Sequence, residues 1–73
     1  MIMSGSREAT IQAIQAVDIH GTVFYDLLYA HAGEAGQPRR ARVGQESIYA
    51  GARAGDAVRV SYLMNVVTQL ERL

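Results

Sequence analysis

Apolar and polar residues alternate over much of this chain, and residues typical of turns separate the alternating runs. The clearest run is Ala57–Leu63, in which Val58, Val60 and Tyr62 share one face. A longer run, Thr22–His31, is rich in β-branched and aromatic residues and has apolar side chains at every second position. A period of two is typical of β-strands that bury one face, so both runs predict strands.

Two weaker runs predict further strands. Arg39–Gln45 alternates arginine with small apolar residues, and Val66–Leu70 resumes the pattern after a break at Met64-Asn65. The segment Ala32–Pro38 contains two glycines and the only proline of the chain, which predicts a hairpin loop. Because proline cannot donate a ladder hydrogen bond, its position predicts that the strand after this loop lies at a sheet edge.

The segment Glu8–Ile19 fits two interpretations. Ile11, Ile14 and Val17 recur at a spacing of three, as on one face of a helix. The segment is also rich in β-branched residues and partly alternates, as a strand does. We expect a strand, because a strand pattern follows directly, and a helix is the alternative. Residues 1–7 predict a disordered lead, since a glycine between two serines has no reason to be ordered.

These elements indicate an all-β protein. We expect residues 8–73 to form a single domain of four or five short strands, with at most one short helical turn in the segment Glu46–Ala54. Short strands at regular spacing, with glycine turns between them, are typical of antiparallel barrels. Closure removes the exposed sheet edges of so short a chain, so we expect a small antiparallel β-barrel, SH3-like or OB-like.

Composition limits the class of protein. Apolar residues make up 49% of the 73 residues, but eleven of them are alanine, so large core side chains are few. No cysteine is present, which excludes disulfides and thiolate metal sites. No apolar run exceeds five residues, which argues against a membrane span or a signal peptide and favours the cytoplasm. The formal net charge of zero argues against a general polyanion binder.

The last third of the chain carries a recognisable series of turn and strand residues: Gly55-Asp56, Val58, Val60, Tyr62-Leu63 and Asn65. With Tyr25 and Tyr29 upstream, this series resembles an uncharacterised bacterial family of small β-domains whose ending reads G-D-x-V-x-V-x-Y-L-P-x-N-P. The resemblance covers about residues 9–73 and implies a small β-domain, which in that family is often tethered beside membrane helices. It implies no catalytic residue. Met64 and Val66-Val67 stand where the family has prolines.

The residues that usually carry catalysis or bind metals do not form a convergent set in this sequence. His20 and His31 are the only imidazoles, and an intervening strand separates them by about 33 Å at roughly 3.3 Å per residue. Ser47 and Ser61 lack a nucleophile-elbow motif, and no phosphate-binding or dinucleotide fingerprint is present. We therefore expect no catalytic residue, no metal site and no cofactor.

Arginine supplies all seven basic residues, and five of the arginines form the candidate nucleic-acid site: Arg39, Arg40, Arg42, Arg53 and Arg59. Small barrels bind single strands with an arginine groove and aromatic stacking platforms, which the four tyrosines are suited to supply. The alternative places the tyrosines in the core and lets the arginines solubilise an edge strand. Residues 8–34 hold four acids and no base, so the two charged regions would then pair across strands or across a dimer.

The sequence favours a non-enzymatic interaction or assembly module. The small number of large apolar residues and the open strand edges predict self-association into a homo-oligomer. The same two features are also compatible with binding to a different protein. Single-stranded nucleic-acid binding through Arg39–Arg59 is the alternative function. A third class is a minimal enzyme whose active site forms only at the pore of a symmetric oligomer.

Overall fold

A computed structural model describes residues 4–73, which are all-β with one short 3₁₀ turn and no α-helix among them. The strands are β1 (Ser4–Ile19), β2 (Thr22–His31), β3 (Arg39–Gly44), β4 (Ala57–Leu63) and β5 (Val66–Arg72), with the 3₁₀ turn at Gln45–Ser47. All neighbouring strands pair antiparallel, which confirms the all-β prediction and the upper strand count of five. The segment that fitted both a helix and a strand is a strand.

β1 is the central strand of the sheet, whose order is β3-β2-β1-β4-β5. Its second half pairs with β2 from Ala9 to Ile19, and its first half pairs with β4 from Ser4 to Thr10. Gln12 interrupts the β1–β2 register as a bulge, and such an extra residue bends a strand and increases its twist. One long bent strand therefore joins a three-stranded meander to a hairpin.

The sheet curls, but it does not close into a barrel. β3 and β5 lie at opposite ends of the strand order, yet they come into contact across the concave face. No backbone ladder joins them within residues 4–73, so each keeps an unpaired edge. The concave, inner face is consequently open along a seam between β3 and β5.

The hydrophobic core fills the centre of the inner face. Val58 and Val60 on β4 have no exposed surface, and Ile11 on β1 is 1% exposed. The other buried members of this cluster are Ala9, Leu27, Tyr29, Val43, Tyr62 and Leu70. Each strand contributes alternate residues, as the period of two in the sequence predicts.

Two hairpins turn in two residues each. His20-Gly21 joins β1 to β2, and Met64-Asn65 joins β4 to β5, and all four residues have positive φ. Positive φ at both central positions is the pattern of a type I′ turn, whose twist matches that of the flanking strands. Both breaks predicted from the sequence are therefore turns.

Two sequence predictions need correction. Ser4–Arg7 are not part of a disordered lead, because they are the first residues of β1 and pair with Val60–Leu63. The remainder of that predicted lead, residues 1–3, lies outside the described residues. The helical turn expected in 46–54 is shorter and begins earlier, at Gln45–Ser47.

Candidate functional site

One end of the inner face is polar, although it is buried. His31 ends β2 and Tyr62 lies near the end of β4, with β1 between the two strands. Their partners on β1 are small, because His31 pairs with Ala9 and Tyr62 with Gly5. The two rings can therefore reach across β1 and meet above it. His31 is 1% exposed and Tyr62 is 7% exposed, so both rings are shielded from solvent.

Three buried side chains form a hydrogen-bonded chain, which we call the Tyr–His relay: Tyr29, Tyr62 and His31. The Tyr62 hydroxyl lies 2.6 Å from His31 Nε2 and 2.8 Å from the Tyr29 hydroxyl. The His31 and Tyr62 rings meet edge to face, with centroids 5.8 Å apart at 87°. Tyr62 is the central member, because both bonds of the relay use its hydroxyl.

Glu34, from the β2–β3 loop, faces the other side of the imidazole. Its carboxylate lies 3.8 Å from His31 Nδ1, 3.5 Å from Arg7 and 3.6 Å from Arg39. His31 Nδ1 is buried and has no hydrogen-bond partner among residues 4–73. A carboxylate beside Nδ1 favours the tautomer with the proton there, so Nε2 accepts from Tyr62 and Tyr62 accepts from Tyr29.

Burial sets the protonation of the relay. It lowers the pKa of His31, and the positive charges of Arg39 and Arg7 lower it further, against the opposing effect of Glu34. Burial also raises the pKa of Tyr29, and the hydrogen bond with Tyr62 adds to that rise. At neutral pH the imidazole of His31 is therefore uncharged and the phenol of Tyr29 is neutral.

The pKa of His31 predicts how stability depends on pH. The folded pKa lies below the ordinary value of 6.5, so the unfolded chain takes up a proton first. The free energy of unfolding should be highest above that value and fall as the pH drops from there through the folded pKa. Urea unfolding at a series of pH values measures this decline. His31→Gln should remove it, and the control His20→Asn, in an exposed turn, should leave it in place. Identical pH profiles for the wild type and His31→Gln would contradict the assignment.

A cavity of about 320 Å³ opens beside the relay, between β3 and β5. We call it the seam cavity. Its lining residues are Tyr29, Arg39, Arg40, Ala41, Arg42, Tyr62, Asn65, Val66 and Val67. No acidic residue lines it, so hydrogen-bond donors and apolar groups dominate its surface. A larger cavity of about 500 Å³ across β1, β2 and β3 includes Asp26 in its lining and does not touch the relay.

The structure divides the five arginines of the predicted nucleic-acid site. Arg39, Arg40 and Arg42 lie together on β3 and line the seam cavity. Arg42 donates two hydrogen bonds to the carboxylate of Asp26 on β2, at 2.6 and 3.0 Å. The hydrogen bond from this guanidinium lowers the pKa of Asp26. This pair joins the two oppositely charged regions across strands, as one sequence interpretation expected.

The other two arginines lie elsewhere. Arg59, on the outer face of β4, is paired in register with Glu8 on β1 and with Glu71 on β5. Arg53 precedes β4, with its Nε 3.9 Å from the Asp56 carboxylate. Neither residue lines the seam cavity. Arg39, Arg40 and Arg42 therefore lie close together on one strand, and Arg53 and Arg59 lie apart from them.

The tyrosines serve mainly as structural side chains. Tyr29 is 2% exposed and Tyr62 is 7% exposed, which confirms the core interpretation for these two. Tyr49 is half-buried, donates its hydroxyl hydrogen to Asp56 at 2.6 Å and lies under the Arg72 guanidinium at 4.8 Å. That hydrogen bond lowers the pKa of Asp56. The rings that remain accessible for stacking are few.

The Tyr–His relay was not predicted from the sequence, in which His31 ends a strand pattern and Tyr62 is a candidate core residue with no indicated contact between them. The available signal was the pair of inner-face positions at His31 and Tyr62, each opposite a small residue on β1. The sequence alone does not give the strand register, so it does not show that His31 and Tyr62 lie opposite small residues.

Within residues 4–73, no three histidine, cysteine, aspartate or glutamate side chains are grouped to hold a metal ion. No helix in this described part of the chain is long and apolar enough to cross a membrane. Comparisons with protein-family models, with curated proteins and with solved structures found no match to this chain.

Proposed function

We propose that this protein is a non-enzymatic interaction module that self-associates, built on a curled sheet of the SH3-like or OB-like kind and acting in the cytoplasm. One observation carries the proposal. Three large apolar residues at the β4–β5 hairpin are exposed, with Leu63 at 58%, Met64 at 71% and Val66 at 62%. We call these three residues the apolar tip. Contiguous exposed apolar side chains are typical of protein interaction sites.

The apolar tip belongs to the outer face of the sheet. Leu63 alternates with the inward-facing Tyr62, and Val66 is its register partner on β5. Both side chains therefore point away from the core, where they add nothing to its packing. Turning them inward would require a one-residue register slip that exposes the buried face of β4.

Met64 occupies a position that costs stability. Its φ is +51°, in the left-handed region that favours glycine, asparagine and aspartate in two-residue hairpins. A larger side chain there costs on the order of 1 kcal/mol. An unfavourable backbone position that holds an exposed methionine is best explained by a contact that uses the side chain.

The partner we propose is a second copy of this chain. The apolar tip adjoins the unpaired edge of β5, so a two-fold axis there would bury the tip against its own equivalent and cover part of the edge. The chain has a formal net charge of zero, so charge repulsion does not oppose association of two copies. The small supply of core residues makes the additional burial valuable to the fold.

The substitution Met64→Asn is expected to affect self-association and folding stability in opposite directions. Asparagine suits a type I′ turn, so the variant should be more stable than the wild type and unfold at a higher urea concentration. This comparison is made at a protein concentration at which both are monomeric. It should also dissociate at protein concentrations where the wild type is a dimer. Sedimentation velocity over a concentration series measures the association, and urea unfolding measures the stability.

Leu73→Asn is the matched control, because Leu73 is 52% exposed but lies outside the apolar tip. This variant should associate like the wild type. A wild-type protein that stays monomeric at every concentration, or an equal loss of association in both variants, would refute the proposed function.

Single-stranded nucleic-acid binding is the second candidate. The clustering of Arg39, Arg40 and Arg42 on β3 favours it, and the burial of Tyr29 and Tyr62 removes two stacking platforms. Fluorescence anisotropy with a labelled oligothymidylate tests it. Arg40→Glu should abolish salt-sensitive binding if this function is correct, whereas Arg59→Glu should retain it.

A further inference from the structure

We propose that the seam cavity is a binding site for a small organic anion, a carboxylate or phosphate group carrying a short apolar substituent. The site is independent of the apolar tip, although Val66 borders both. The cavity volume of about 320 Å³ lies at the lower end of ligand pockets, which are about 300–1,000 Å³. It suits a single small molecule better than a folded partner.

The lining combines donors on one side with apolar groups on the other. Arg39, Arg40 and Arg42 border the cavity from β3, and Val66 and Val67 border it from β5. Guanidinium groups present fixed pairs of donors that match carboxylate and phosphate oxygens. Val67 and Ala41 line the cavity and pack against the core, so an apolar substituent on the ligand would contact these two side chains. This two-sided lining selects an amphiphilic anion over a simple salt ion.

The three guanidinium groups differ in how freely they can bind a ligand. Arg40 alternates with Ala41, which packs against the core, so its side chain belongs to the outer face, where Arg40 also lines the larger cavity. Arg39 lies 3.6 Å from Glu34, which is longer than a hydrogen bond. Arg42 is committed to Asp26 by two hydrogen bonds. Arg39 is in register with the buried Tyr29 and faces the inner side, so we assign the principal contact to Arg39.

Tyr29 and Tyr62 of the relay line the cavity, and the relay has a direction. In the unliganded state Tyr29 donates to Tyr62 and Tyr62 donates to His31 Nε2, so neither phenol has a proton to offer an anion. An anion requires the opposite direction, in which Nε2–H donates to Tyr62, Tyr62 donates to Tyr29 and Tyr29 donates to the anion. Ligand binding would therefore reverse the relay.

The relay reverses most easily when His31 is protonated on both ring nitrogens, Nδ1 and Nε2. A neutral imidazole with its proton on Nε2 would turn the Nδ1 lone pair toward the carboxylate of Glu34, which is unfavourable. A protonated imidazole donates to Tyr62 through Nε2 and faces Glu34 with Nδ1–H. The other groups around the ring are Tyr29 and the guanidinium groups of Arg7 and Arg39, which oppose this charge. A bound anion would offset those positive charges, so binding should be coupled to proton uptake by His31.

The test is a ¹H–¹⁵N NMR titration of the full chain with hexanoate and, separately, with inorganic phosphate and hexyl phosphate. Amide shifts should concentrate at Ala41, Val66 and Val67, and the two hexyl anions should bind more tightly than phosphate alone. Hexylamine, which has the same apolar chain and the opposite charge, should cause no such shifts. The stronger of the two hexyl anions identifies the preferred head group.

Arg39→Gln should weaken binding of the preferred anion by at least about tenfold, the usual effect of losing a charge-assisted hydrogen bond. Arg59→Gln makes the same change of charge on β4, outside the cavity, and should bind like the wild type. Equal weakening in both variants would show a general charge effect and overturn the site. Shifts produced by oligothymidylate alone would replace it with nucleic-acid binding.

The pH dependence of the same titration tests the coupling to His31. Affinity should rise by up to about tenfold per pH unit as the pH falls from about 8 toward 6, because one proton is taken up on binding. His31→Gln should bind with a flat profile over this range. A wild-type affinity that does not change with pH would reject the coupled relay.

Discussion

Replacing Ile11 by alanine is expected to lower the free energy of unfolding by about 2–5 kcal/mol. Ile11 is 1% exposed and is among the largest fully buried side chains of residues 4–73. Its backbone N–H donates to Asp56 at 3.0 Å, and its carbonyl accepts from Gly55 at 2.7 Å, so it also anchors the turn before β4. A core of this size rarely supplies more than about 3–5 kcal/mol, so Ile11→Ala should be largely unfolded.

Ile11→Val provides the graded comparison, because it removes one methyl group and keeps the β-branched shape. We expect it to cost about 0.5–1.5 kcal/mol and to retain a cooperative urea transition. Urea unfolding followed by circular dichroism measures both variants. If Ile11→Ala were as stable as Ile11→Val, the site would not lie in a well-packed core.

The second large effect is expected for Tyr62→Phe. The change keeps the ring in place but removes the hydroxyl that serves both His31 and Tyr29. Each buried polar group left without a partner costs about 1–3 kcal/mol, so we expect a loss of about 2–4 kcal/mol. Tyr29→Phe removes only a terminal member of the relay and should cost about 1 kcal/mol.

A comparison of these two variants with the double variant tests whether the relay acts as a unit. The Tyr29→Phe change should cost less in a Tyr62→Phe background, because its hydrogen bond is already lost. Urea unfolding above the pH range in which His31 titrates gives the three values. Equal costs for the two single variants, with simple additivity, would show that the hydroxyls act independently.

The strand positions were predictable from the sequence because alternation and turn residues both mark them. Thr22–His31 and Ala57–Leu63 have the predicted bounds, since each run is flanked by a turn. Ser4–Arg7 carry no such pattern, and their strand conformation follows from pairing with β4. The open seam was not predictable either, because closure depends on strand stagger and on bulges such as the one at Gln12.

The candidate site was only partly predictable. The three arginines of β3 alternate along a visible strand, so their common location follows from local sequence. The relay depends on Gly5 and Ala9, whose small size matters only when β1 lies between β2 and β4. That arrangement joins distant parts of the chain, and no local pattern specifies it.

The shared use of β1 also sets the order in which the chain can fold. β1, β2 and β3 follow one another along the chain and can form a meander through local contacts. The first half of β1 must wait for Ala57–Leu63, nearly the whole chain away, to be synthesised and to dock. Until then, this half of β1 exposes a sheet edge to other nascent chains. We therefore expect docking of the β4–β5 hairpin to set how long the protein is open to misassembly during synthesis.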